Sequence, residues 1–246
     1  MRASLLVTTF CRNELLEFGL DSMQVPNDIE VIVLDDGLLN DAKEITNKHG
    51  FSYLHTGHDT ELHWRIPGYA LNIGAKRAKG DVIIITCAEM YHVNNCIDLI
   101  LKPFENDKYC LTIPNGAQDY QGAYLNNLKN GKGHSQLIFE QKCCKLKNEL
   151  PFFLGVNRNI FLAIGGYDED FIGQAFDDND IVERLINYGC YYQKTQAQIV
   201  HLHHNRSFPG RSIDGNRRWN YNRVLYEGRL GTIIRNENRE WGVLNG

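Results

Sequence analysis

Pro67-Gly68-Tyr69-Ala70-Leu71-Asn72-Ile73-Gly74-Ala75-Lys76-Arg77-Ala78-Lys79-Gly80-Asp81-Val82-Ile83-Ile84-Ile85-Thr86-Cys87-Ala88-Glu89-Met90-Tyr91-His92 is the stretch whose reading decides the fold. Residues 67–79 have helical spacing, with a proline suited to a first turn and Gly80 as the stop. Residues 81–86 form an apolar β-branched run with no polar alternation, as expected of a strand covered on both faces. A helix that feeds directly into such a strand implies a crossover within a parallel sheet. The strand then ends in polar side chains, Glu89 and His92.

Upstream, the same alternation repeats. Residues 4–9 and 29–34 read as buried strands and 51–54 as a short one, with helices at 13–23 and 41–49 between them. The fold class is therefore α/β, with a mainly parallel central sheet flanked by helices. Downstream the signal weakens. A strand is expected at 109–113. Residues 115–133, rich in Gly, Asn and Gln, read as a long loop or lid. A helix over 178–188, with Ile181/Leu185 and Val182/Ile186 as i,i+4 pairs, stops at Gly189 and precedes a strand at 191–202. From Asn205 a tail carries Arg206, Arg211, Arg217, Arg218, Arg223 and Arg229 among Trp219, Tyr221 and Tyr226. No repeat or linker divides the chain, so residues 1–246 read as one domain.

The bulk numbers agree. A chain of 246 residues with 43% hydrophobic and 23% charged residues can bury one sizeable core. A formal charge of −4 and a pI near 6.1 argue against a surface that grips nucleic acid as a whole. No apolar run approaches the roughly 20 residues of a membrane span, and the N-terminus lacks the pattern of a signal peptide. Seven cysteines, an odd number without a CxxC pair, suit reduced thiols and a cytoplasmic setting.

In open parallel sheets ligands bind beyond the carboxyl ends of the strands. The turn after the first strand, Thr8-Thr9-Phe10-Cys11-Arg12, has no glycine, which disfavours a dinucleotide-binding dehydrogenase. After the second, Leu34-Asp35-Asp36-Gly37 offers a carboxylate for a base or ribose, or simply a turn and cap. After the third, Glu89 with His92 nearby offers metal-type ligands, or only a loop acid. Asp177-Asp178-Asn179-Asp180 places more carboxylate in a first helical turn than capping needs, behind the Gly165-Gly166 turn. His201, His203 and His204 close the last strand as candidate ligands or acid/base groups.

Taken in order, these clusters resemble the GT-A glycosyltransferases, especially family 2 and its galactosyltransferase-like relatives. The likeness runs from about Ser4 to His204 and rests on Thr9-Phe10-Cys11-Arg12, Leu34-Asp35-Asp36-Gly37, Ala70-Leu71-Asn72-Ile73-Gly74-Ala75, Ile164-Gly165-Gly166-Tyr167-Asp168-Glu169, Asp177-Asp178 and His201-Leu202-His203-His204. The resemblance implies a single nucleotide-diphospho-sugar transferase domain. Residues 1–110 would be its nucleotide-sugar-binding half, 111–204 its acceptor and catalytic half, and 205–246 a basic C-terminal tail.

The resemblance also implies roles. Thr9, Arg12 and Asp36, with Asp35 as rival, would line the base and ribose pocket, and Asn72 would help hold the donor. Arg206, or Arg211, would close over the diphosphate. Glu89 matches the last position of the Asp-x-Asp motif, with Cys87 standing where its first Asp belongs. Glu89 would bind Mn²⁺ or Mg²⁺ together with His203, or with His201 as the alternative. Asp178 would be the catalytic base. Asp177, Asp168 and Gly166 would shape the acceptor side. The implied reaction moves a sugar from a nucleotide sugar, a UDP-sugar by the family's habit, to a glycan or other hydroxyl acceptor with inversion. Two rivals stand beside it: a module of the same fold that binds without chemistry, favoured by Cys87, and an enzyme that glycosylates modified DNA bases through its Arg/Trp/Tyr stretch.

Overall fold

The computed structural model of the protein describes residues 1–37, 42–57, 66–146, 152–173, 175–205 and 213–244. The expected donor residue Arg206 and its rival Arg211 lie outside the described residues, as does Asp41, the expected start of the second helix. The chain runs β1 (Ala3–Thr9), α1 (Asn13–Asp21), β2 (Ile29–Asp35), α2 (Lys43–Lys48), β3 (Ser52–His55), α3 (Pro67–Arg77), β4 (Val82–Cys87), β5 (Met90–His92) and α4 (Cys96–Leu101). It continues through β6 (Cys110–Gln118), α5 (Ala123–Lys129), α6 (Gln136–Lys142), β7 (Cys144–Lys145), β8 (Phe153–Asn157), α7 (Arg158–Ala163), α8 (Asp177–Asn187), β9 (Tyr191–His201) and α9 (Ile213–Gly228).

The strands form one sheet in the order β3-β2-β1-β4-β8-β6-β9-β5, with β7 paired to β6. The first four in that order are parallel, as their uninterrupted apolar runs require. β8 is antiparallel to both β4 and β6, while β9 runs parallel to β6. β4, β6 and β9 therefore share one direction and end on one edge.

Alternation divides the core. Leu6, Ile32, Leu34, Ile83 and Ile85 face α3, α7 and α8 through Leu71, Ile73, Phe161, Ile181 and Leu185. Leu5, Val7, Val31, Val33 and Ile84 face α1 and α4 through Leu16, Leu20, Ile97 and Ile100. β1 leads to β2 on one side, whereas β4 leads to β5 at the opposite edge of the sheet. The chain thus parts between the carboxyl ends of β1 and β4, the place where such sheets form a crevice.

Two sequence expectations are corrected. Residues 115–133 are not one long loop: β6 continues to Gln118, and α5 follows with Tyr124, Leu125 and Leu128 buried. Pro114 interrupts the β6–β9 register between Ile113 and Asn115, and pairing resumes beyond it. The C-terminal region is not a mere tail either. The 16-residue helix α9 packs by Asn222, which is completely buried. Its amide donates to the carbonyls of Ile172 (2.8 Å) and Ala175 (3.0 Å) and accepts from the Ile172 N–H (3.0 Å).

Candidate active site at the carboxyl edge of the sheet

Arg12 follows β1 and Glu89 follows β4, so the two flank the crevice from adjacent strands. They form an ion pair, Nε to Oε1, at 2.6 Å, with side chains only 16% and 11% exposed. Cys11 places Arg12 there through a left-handed backbone (φ 51°). The half-buried Cys87 thiol is held well above its usual range by burial and by the Glu89 carboxylate. The Leu202 N–H donates to the Glu89 carbonyl (2.9 Å), which brings the histidine segment alongside. Burial pushes the His201 imidazole down to about 4, with the Glu89 charge opposing, and burial also lowers His204. Their rings meet edge to face at 5.1 Å.

Thr9 is 4% exposed, and its hydroxyl has no hydrogen-bond partner among the described residues. Asp36 accepts a hydrogen bond from the Thr56 hydroxyl. Its neighbour Asp35 is committed to the fold. It is fully buried and accepts from the N–H of Gly37 (2.9 Å) and Ala42 (3.4 Å) and from the Tyr53 hydroxyl (2.7 Å).

A second group lies around the start of α8. Because α8 leads into β9, which runs with β4, its N-terminus lies on the same carboxyl edge. The Tyr167 ring lies against Gly68 in the first turn of α3, where any Cβ would collide with it. From there its hydroxyl donates to Asp178 Oδ1 at 3.3 Å. Ala175 and Phe176, immediately before the acid pair, are both left-handed (φ 81° and 71°). Such backbone costs about 1–2 kcal/mol per residue outside glycine. It is held by Asn222 on the Ala175 carbonyl and by Phe176 against the rings of Trp219 and Tyr226. Among the described residues the other non-glycine cases are Asn236 and Asn238, a residue type that tolerates this conformation. The strained positions thus adjoin Arg12 and Asp177-Asp178. Burial raises both acids, Asp177 to about 6, and their mutual repulsion raises Asp178 further against the pull of the Tyr167 hydrogen bond.

Other expected site residues have structural tasks. Asn72 is completely buried, and its amide donates to the Tyr167 carbonyl (2.9 Å) and Glu169 (2.9 Å) and accepts from the Tyr167 N–H (2.8 Å). It fastens α3 to the turn. Gly166 is a glycine because a Cβ would strike the Asn72 amide and Trp241. Asp168, expected at the acceptor, is buried at the hub of an ion cluster with Arg229 and Arg235 (3.1 Å). Asp170 binds Arg229 and Arg239, each at 2.6 Å, and Asp180 binds Arg184 and Arg235, each at 2.7 Å. The acidity that seemed excessive in the sequence is therefore partly matched by arginines distant in the chain.

The family model of glycosyltransferase-like family 2 matches residues 13–234. The chain belongs to this family. Among solved structures, GalNAc-T7 with UDP, GalNAc and Mn²⁺ aligns to this chain with a TM-score of 0.65 at 14% identity, over 92% of this chain and 48% of that one. Glucosyl-3-phosphoglycerate synthase from Mycobacterium tuberculosis, with Mn²⁺, UDP and glucosyl-3-phosphoglycerate, aligns at 0.59 and 14% identity over 96% and 81%. Mannosyltransferase PcManGT from Pyrobaculum calidifontis, with GDP-Man and Mn²⁺, aligns at 0.53 and 17% identity over 92% and 61%. These likenesses establish a GT-A fold. The chain spans about half the length of the GalNAc-T7 chain. No curated protein sequence matches it.

The divalent ion implied by the resemblance does not fit the side chains present. An ion on Glu89 would sit beside the Arg12 guanidinium. That repulsion is roughly 7 kcal/mol for a double and a single charge about 5 Å apart at an effective dielectric near 20. Cys87 offers a thiol where a hard ion prefers a carboxylate. His203, the expected partner, lies over Gly122. β9 ends at His201, so His203 lies beyond the strand. Among the described residues no three His, Cys, Asp or Glu side chains gather as a metal cage.

Proposed function

We propose that this glycosyltransferase transfers a sugar from a nucleotide-diphospho-sugar to a hydroxyl acceptor with inversion at the anomeric carbon. The observation that carries the reading is the convergence of Arg12, Asp36 and the Asp177-Asp178 pair on the carboxyl edge of a family-2 sheet. Base and ribose would lie beside Thr9 and Asp36, where the Thr9 hydroxyl, unpartnered among the described residues, awaits a polar group. The acceptor hydroxyl would meet Asp178, which takes its proton as the oxygen attacks. A raised carboxyl suits that task, since its proton affinity is closer to that of the attacking group. UDP and GDP in the neighbouring structures support a nucleoside diphosphate as leaving group without choosing the base.

A nucleic-acid acceptor is disfavoured by the ion pairs of the arginine-rich region. Arg223 is paired with Glu227, and Arg229 with Asp168 and Asp170. The seven cysteines, all free, agree with a reducing compartment. Among the described residues no helix is long and apolar enough to cross a membrane.

Thermal shift with UDP, GDP, dTDP and their sugars tests the donor. One nucleotide should raise the melting temperature in proportion to the logarithm of its concentration. Failure of the whole panel to shift it would count against the reading.

A further inference from the structure

The first residues of β9 lack the helical cover that the rest of the strand has. Odd-numbered residues of β9 face the α4 layer, where Ala197 and Ile199 pack with Ile97 and Ile100. α4 ends at Leu101 after six residues and gives way to a single 3₁₀ turn, Lys102–Glu105. Tyr191 and Gln193 are left beside an open groove of about 430 Å³, lined also by Leu99, Pro103, Lys102 and Lys194. β6 and β9 are parallel, so this amino end of β9 lies at the edge of the sheet opposite the crevice. We propose that the groove is a docking site for a glycan that carries negative charge, separate from the donor site and independent of the transferase reading.

The Tyr191 ring is 45% exposed but tethered. Its hydroxyl donates to Asp107 Oδ2 (2.9 Å). Asp107 is itself held: Oδ1 accepts the Tyr109 N–H (2.8 Å), and its own N–H donates to the Pro103 carbonyl (3.2 Å). A ring positioned before a ligand arrives offers its negative face to the C–H groups of a sugar.

Charge decides which sugar. Asp107 is the one acid among the described residues that line the groove, and each of its oxygens already accepts a hydrogen bond. Lys102 and Lys194 form no ion pair among the described residues, so two lysines against one acid leave the groove positive. Asn106 and Gln196 add amides that can donate to and accept from ring hydroxyls. Leu99 and Pro103 are too few aliphatic side chains to bury the anchor that a protein partner would bring.

Calorimetric titration of the full chain with hexasaccharides of hyaluronan, chondroitin sulfate and polygalacturonate tests the proposal, with a neutral glucan hexasaccharide and inorganic phosphate alongside. At least one acidic hexasaccharide should bind, about tenfold or more tightly than the glucan or phosphate. Tyr191→Ala should weaken that binding by about threefold to tenfold, the scale of an aromatic contact. Tyr191→Phe keeps the ring and loses only the bond to Asp107, so it should weaken binding less. The Lys102→Gln/Lys194→Gln double variant should weaken it by about tenfold at low salt and remove most of its salt dependence. Its melting curve should match that of the parent, since neither lysine is paired. Three results would each overturn the inference: no acidic glycan binds, glucan or phosphate binds as tightly, or the Tyr191 and lysine variants bind like the parent. All three leave the transferase reading standing, because its residues lie on the other edge of the sheet.

Discussion

Tyr167 is the residue that sequence reading passed over and the structure makes important. It sits between an apolar contact on Gly68 and a hydrogen bond to Asp178, so it positions the candidate base against α3. Nothing local marks it, since tyrosines in Gly-Gly-Tyr turns also serve only to pack. Tyr167→Phe keeps the ring and removes the hydroxyl. That hydroxyl stabilises the Asp178 carboxylate, so its loss should move the acidic limb of the kcat/KM profile to higher pH. Turnover at neutral pH should fall roughly tenfold, the low end for a hydrogen bond to a charge. A pH–rate profile checks both. In the parent protein, activity should rise with pH through a limb above the ordinary carboxylate range, because burial and the Asp177 charge raise the Asp178 carboxyl, which must lose its proton to work.

At the scale of elements, β1, β2 and β4 were legible because strands buried on both faces leave continuous apolar runs in the sequence. β6 and α5 were not. Pro114 and the Asn- and Gly-rich surroundings read as loop, although Tyr124, Leu125 and Leu128 carried a helical spacing. The candidate site was legible in part. Arg12, Asp36 and Glu89 come soon after predicted strands and Asp178 opens a predicted helix, whereas the bonds that Asn72 and Asp168 make within the fold were not legible. Their distant partners lie 61–97 positions away, beyond any local period. Arg235 is the clearest of these distant partners, since it joins Asp168 and Asp180 with a side chain only 5% exposed. Arg235→Met should destabilise the fold by about 3–5 kcal/mol, because it leaves buried carboxylates short of a countercharge. The urea midpoint would measure it.

For the whole molecule, two buried imidazoles set a pH dependence. His92, with both ring nitrogens unpartnered among the described residues and its ring edge-on to Phe153 at 5.0 Å, is pushed by burial to about 4, as is His201. Each has a folded pKa below the unfolded value near 6.5, so the unfolded chain binds more protons between those values. Stability should therefore fall as pH drops from about 6.5 towards 4. His92→Phe should flatten that slope in thermal melts taken across the window.

In the proposed reading Arg12, after β1, and Asp178, at the start of α8, serve one transfer site on the carboxyl edge of the sheet. Release of nucleoside diphosphate from UDP-, GDP- and dTDP-sugars, measured for the wild-type chain and for Asp178→Asn, tests this most directly. The account predicts that the wild type releases diphosphate from one donor, faster with a hydroxyl acceptor present. The variant should bind that donor almost as well and turn over about a hundredfold slower or worse. A folded wild type that releases nothing from any donor, or an Asp178→Asn variant as fast as the parent, would contradict it.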